Sequence, residues 1–162
     1  MSSAQDWFAH FRAMHTRFRT GKLEERERAE YFVAREQLAR SLLAAQNLTV
    51  EPGKTARRSF RVAHSLQLDI QFSAGDKRVP TLDVSVGGLS TVLPSEPNDK
   101  EQPGFSLRMP GGLDPIIGRM RLTSVNKRVG NYRVSYAFVD MPEREAERLE
   151  SVLFDLVLSR MP

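Results

Sequence analysis

Residues 57–88 read RRSFRVAHSLQLDIQFSAGDKRVPTLDVSVGG. From Leu66 onward apolar residues fall at 66, 68, 70 and 72 with polar ones between, the period-two pattern of a half-buried strand. Ala74-Gly75-Asp76 is a turn signal, and residues 79–84 read as the returning strand. A hairpin of this form brings Asp83 and Ser85 back toward the arginine-rich turn. Two spaced signatures bracket it: Arg57 and Arg61 as RxxxR, then Asp83, Ser85 and Gly88 as DxSxxG. Guanidinium groups bridge phosphate oxygens bidentately and also stack flat on a purine, which lysine cannot do. A carboxylate at Asp83 can accept two parallel donors, and Ser85 adds a hydroxyl that donates or accepts. Gly87 and Gly88 permit close backbone approach or positive φ. Alone, RRSFR reads as a solvated basic turn and DVSVGG as a strand ending in an ordinary turn. In this order, with a hairpin between them, they read as two halves of one site. Phe60 is expected in the core, and His64 beside the strand is expected to be structural.

Outward from this hairpin, further strands are expected at residues 89–93, 105–109, 116–125 and 132–139, with turns at Pro110-Gly111-Gly112 and at residues 128–131. Short strands punctuated by Gly and Pro indicate an antiparallel barrel, not a βαβ fold. The polar loop at residues 94–104 is expected to be disordered or mobile. Arg119, Arg121, Lys127, Arg128 and Arg133 read as solvated strand faces. A C-terminal helix is expected over residues 142–160, with Leu149, Val152, Leu153, Leu156 and Val157 as its inward stripe. Phe154 and Leu158 fall on another side, so this helix calls for a second partner beyond the barrel. Upstream, Trp7, Phe11, Met14 and Phe18 form one amphipathic seam, with Ser3 as N-cap and Gly21 as the break. Tyr31, Ala34, Leu38, Leu42 and Ala45 form a second seam. These helices form a helical hairpin, cover a barrel face or pair with another copy. The chain thus divides into a helical extension (1–48), a linker or switch segment (49–56), a barrel (57–140) and a C-terminal helix (141–162) that packs on the barrel or a partner.

The paired signatures, their order and the trailing helix resemble the PilZ domain family over residues 54–160. The resemblance implies an α+β fold: a six-stranded antiparallel β-barrel with a C-terminal helix, here preceded by two helices or one long interrupted helix. It implies a bacterial, second-messenger nucleotide-binding protein whose ligand is cyclic di-GMP. Arg57 and Arg61 match the first motif and would hold guanine and phosphate. Asp83, Ser85 and Gly88 match the second and would hold the other guanine face, with Arg58 a secondary candidate. Some members of the family bind the ligand as an intercalated dimer, and Thr55 and Ala56, just before the first motif, bear on that.

Composition narrows the function classes. With no cysteine, disulfides and thiolate metal sites are excluded. His10 and His15 are five apart, off any common helical face, and read as surface or edge-of-core residues rather than ligands. No apolar run reaches bilayer length and the N-terminus lacks a signal-peptide core, so a cytoplasmic location is expected. The net charge of +4 comes from 24 basic and 20 acidic residues, an excess too mild and interleaved for a nucleic-acid binder. No catalytic grouping or metal is expected, so the chain reads as a non-enzymatic receptor with no cofactor beyond its ligand. Its other partners are an unidentified downstream protein and a second copy, as a dimer through the helices. The alternative is a protein-interaction adaptor of the same fold that binds no ligand.

Overall fold

The computed structural model describes residues 3–48 and 58–161. The chain falls into two compact units, Met1–Phe60 and Arg61–Pro162.

The first unit is a helical hairpin of α1 (Ser3–Arg19) and α2 (Glu25–Asn47). Arg17 and Arg19 in the last turn of α1 complement the negative end of its dipole. The helix stops there, and Gly21 takes φ +72°, a conformation that costs glycine little. The two seams meet each other through Phe11, Met14, Tyr31, Ala34 and Leu38, all buried, which is the hairpin among the arrangements the sequence leaves open. The Tyr31 ring stacks with Phe18 at 4.7 Å and Phe11 at 5.7 Å. The second seam fades at its end, where Leu42 is half-buried and Ala45 exposed. His10 lies at the surface, 2.8 Å from Glu30, but His15 is a core residue, 4% exposed. Its Nδ1 lies 2.7 Å from the Tyr31 hydroxyl. That partner across the helix pair is what lets an imidazole enter an apolar seam.

The second unit is a closed antiparallel barrel in the order β1-β2-β3-β6-β5-β4. Its strands are β1 (Gln67–Phe72), β2 (Gly75–Val84), β3 (Gly88–Leu93), β4 (Gly104–Leu107), β5 (Ile116–Arg128) and β6 (Asn131–Val139). Alternate residues fill the interior, among them Leu68, Ile70, Val84, Phe105, Leu107, Ile116, Met120 and Val134, each fully buried. The fold class is the one the hairpin and its neighbouring strands imply, with β2 and β5 longer than their hydrophobic patterns suggest.

Three local expectations are corrected. The loop at residues 94–104 folds back on the barrel. Glu101 accepts from the Ser73 backbone N–H, Arg119 donates to the Gln102 carbonyl, and Pro103 is buried. The Glu101 side chain, the Gln102 carbonyl and buried Pro103 anchor it, while most of its polar side chains are exposed. The helix α3 (Glu143–Ser159) buries Leu149, Val152 and Leu153 as expected, and also Ser151, Phe154 and Leu158, whereas Leu156 and Val157 are half-buried. Burial of four consecutive residues, 151–154, means that α3 is enclosed on more than one side. Neither Gly87 nor Gly88 has positive φ.

Candidate functional site

The site is built where the chain enters the barrel. Val62 and Val84 form an isolated antiparallel bridge, exchanging backbone hydrogen bonds of 2.8 and 3.0 Å, and both side chains are buried. Successive strand residues point to opposite faces, so Arg61 and Asp83 both point outward, diagonally across the bridge. The Arg61 Nη1 lies 3.6 Å from Asp83 Oδ1.

A β-bulge arranges the rest. Thr81 pairs with Thr91, but Asp83 pairs with Ser90, so Leu82 is an extra residue in β2. Thr81 and Asp83 would share a face in an unbroken strand. The bulge instead buries Thr81 and leaves Asp83 outside. The Thr81 hydroxyl accepts from the Leu66 N–H at 2.8 Å and donates to the His64 carbonyl at 2.7 Å. It thereby pins the segment that carries Arg61. The His64 side chain also has a partner at the surface, its Nδ1 lying 2.9 Å from Arg160 at the end of α3.

Asp83 is 14% exposed at its side chain and accepts one hydrogen bond among the described residues, from the Ser90 hydroxyl at 2.6 Å. A second arginine faces it. Arg133 Nη2, on β6, lies 3.7 Å from Asp83 Oδ2. Both arginine contacts are longer than the roughly 2.8 Å of a direct charge-assisted hydrogen bond. The carboxylate is thus bracketed by two cations without being saturated by either. The sequence pattern alone presents Arg133 as a solvated strand position. Its place opposite Asp83 depends on the order β2-β3-β6, which no local pattern announces.

The other half of the second motif closes a turn. The Ser85 N–H and hydroxyl both donate to the Gly88 carbonyl, at 2.8 and 3.2 Å. The same hydroxyl oxygen accepts from the Gly87 and Gly88 N–H groups at 3.2 and 3.1 Å. Gly88 is required by packing, since a Cβ there would sit 2.1 Å from the Tyr136 carbonyl oxygen on β6. Within the second unit the structure thus brings together Arg61, Asp83, Ser85 and Gly88, and adds Arg133. Arg58 is exposed in the first unit, and Arg57 lies outside the described residues.

This arrangement can hold an anion and a paired donor edge side by side. The family model for the PilZ domain matches residues 55–155, more than half of the chain. The chain belongs to the PilZ domain family. Several solved structures share its fold. YcgR from Escherichia coli in complex with c-di-GMP aligns with a TM-score of 0.55 at 20% identity, over 64% of this chain and 46% of that one. The Bacillus subtilis inhibitor of motility (MotI/DgrA) aligns with a TM-score of 0.57 at 15% identity, over 67% and 54%. The isolated PilZ domain of YcgR with c-di-GMP aligns at 0.53 and 18%, over 65% of this chain and 94% of that one. The chain therefore spans about half the length of the first two. No curated protein matches it. Among the described residues of this PilZ protein no helix is long and apolar enough to cross a membrane, and no three His, Asp or Glu side chains gather as a metal site.

Proposed function

We propose that this PilZ protein is a cytoplasmic, non-catalytic receptor for cyclic di-GMP. One observation carries the reading: the unsaturated Asp83 carboxylate, held between Arg61 and Arg133 beside the turn closed by Ser85 and Gly88. Guanine offers N1–H and an exocyclic amine in parallel, a donor pair that a carboxylate accepts and that adenine lacks. Arg61, released from its long contact with Asp83, then turns to phosphate or stacks on the purine, with Arg57 and Arg58 joining it from the segment before the barrel. Ser85 and Gly88 contribute by fixing the turn that aims Asp83. The YcgR structures with c-di-GMP support the ligand assignment by likeness of fold. Ordering of the arginine segment by ligand, with a change in how the helices pack or pair, is the output we assign to it.

Titration calorimetry with cyclic di-GMP, with GTP as control, tests the reading on the wild type and Arg61→Ala. Saturable binding of cyclic di-GMP by the wild type alone, at micromolar affinity or better, is the expected outcome. No heat from a folded wild-type protein would overturn it.

A further inference from the structure

The hairpin of β5 and β6, residues 116–139, contains Arg119, Arg121, Lys127, Arg128 and Arg133 and no Asp or Glu, in a chain whose whole excess is +4. The strand register sorts these cations. Ser124 pairs with Ser135, and Ser135 pairs on its other side with Ser90, the donor to Asp83. Arg121 pairs with Ala137, two residues beyond Ser135, and Arg133 lies two residues before it. All of these point outward, on the face opposite the buried Val134 and Tyr136. Small side chains therefore floor a trough across β6 and β5, while Ser90, between it and Asp83, is buried at 1% exposure. Arginines stand at its two sides, about 14 Å apart along the strand direction, and both are long enough to lean inward. Arg119 is engaged by the Gln102 carbonyl, and Arg133 reaches toward Asp83. Arg121 is exposed and has no ion-pair or hydrogen-bond partner among the described residues.

We propose that Arg121 and Arg133, with Ser124 and Ser135 between them, form an anion subsite that takes the second phosphodiester of the cyclic dinucleotide. This rests on the receptor reading given above and extends it. A cyclic dinucleotide carries two phosphodiesters on opposite sides of one ring, so a site that reads the whole ring needs two cationic stations. The arginine segment at the barrel entrance supplies one, and the trough supplies the other. Around Ser135 the outward neighbours are Ser, Ala, Val, Asn and Arg, with no aromatic ring on which a base could stack. What the trough recognises is phosphate, through two guanidinium forks and two hydroxyls. When guanine engages Asp83, Arg133 loses its carboxylate partner and becomes available to that phosphate.

The test is a pair of backbone-amide NMR titrations of the full chain, with cyclic di-GMP and with sodium pyrophosphate. Each is run on the wild type, Arg61→Ala, Arg121→Ala and Arg121→Lys. Pyrophosphate should shift the amides of Ser124 and Ser135 in the wild type and in Arg61→Ala, but not in Arg121→Ala. Cyclic di-GMP affinity should fall about tenfold in Arg121→Ala and recover in part in Arg121→Lys, since lysine restores the charge but not the bidentate fork. Unchanged affinity and an unchanged pyrophosphate response in Arg121→Ala would overturn the subsite and leave the receptor standing. A pyrophosphate response at Ser124 and Ser135 without any cyclic di-GMP binding would do the reverse. Silence toward both ligands would remove both.

Discussion

Asp83 sits where a charge-neutral replacement is most informative. Asparagine has the same shape, but its amide presents one acceptor and one donor, so one guanine donor would meet another donor. Asp83→Asn should weaken cyclic di-GMP binding about 10- to 100-fold, the range of one bidentate base contact, with circular dichroism and melting little changed. Wild-type affinity in that variant would remove Asp83 from guanine recognition. Gly88 carries a different expectation. The 2.1 Å approach of an added Cβ to the Tyr136 carbonyl is a clash with backbone, which cannot rotate aside. Gly88→Ala should cost about 1–3 kcal/mol or more of stability, read from denaturant unfolding, before any question of ligand arises. Tyr136 itself is 3% exposed, and its hydroxyl has no hydrogen-bond partner among the described residues. Burial, reinforced by the nearby charge of Glu101, pushes its ionisation up from 10.0 to about 12. Between those values the unfolded chain releases the proton and the native one retains it, so stability falls as pH rises from 10 to 12. The loss approaches about 2–3 kcal/mol at the top of that window. Tyr136→Phe should flatten this alkaline slope and leave stability at pH 7 unchanged or slightly higher, because it deletes an unpaired buried hydroxyl. An equally steep slope in the Phe variant would locate the alkaline sensitivity elsewhere.

At the level of elements, the bulge at Leu82 organises the site. It lets a buried threonine and an outward carboxylate stand two residues apart on one strand. Thr81→Val keeps the volume but strands the Leu66 N–H and the His64 carbonyl, which the threonine hydroxyl now serves. Thermal unfolding should show a loss of about 1–3 kcal/mol. Ligand affinity should fall as well, because the segment bearing Arg61 loses its anchor. Full affinity in a destabilised Thr81→Val protein would show that the anchor serves only the fold. The alternation from Leu66 to Phe72, the Gly-Gly turn and the apolar runs of the later strands were all legible in the sequence, because each is a local pattern with a period of two. The bulge was not, since TLDV also reads as an unbroken strand with Leu82 and Val84 inside. The latched loop at residues 94–104 was misread for a related reason. Most of its polar side chains are exposed, as the sequence suggests, but its anchors, Ser73 and Arg119, are distant in sequence. Arg133 was invisible as a neighbour of Asp83 because strand order, not spacing, brings β6 across from β2.

For the whole molecule, the boundary between the two units falls between Phe60 and Arg61, in a stretch of sequence that contains Lys54, Arg57, Arg58 and Arg61. Binding of ligand to these arginines should shield the peptide bonds after them. Limited trypsin digestion is therefore expected to separate the helical hairpin from the barrel several-fold more slowly with saturating cyclic di-GMP than without it. Arg61→Ala should show no such protection. Equal cleavage rates in the wild type with and without bound ligand would mean that the segment takes no part in the response.

The double use of the second motif has an evolutionary consequence. Ser85 and Gly88 hold a turn and a close strand contact, so a descendant that abandoned its messenger would still be selected to keep both, or lose its barrel. On the receptor reading proposed above, Arg61 and Asp83 would answer to the ligand and could drift once it was gone. Genome surveys that weight every letter of the signature alike would count such descendants as sensors. The acid and the arginines, scored apart from the serine and the glycine, separate inherited architecture from retained signalling.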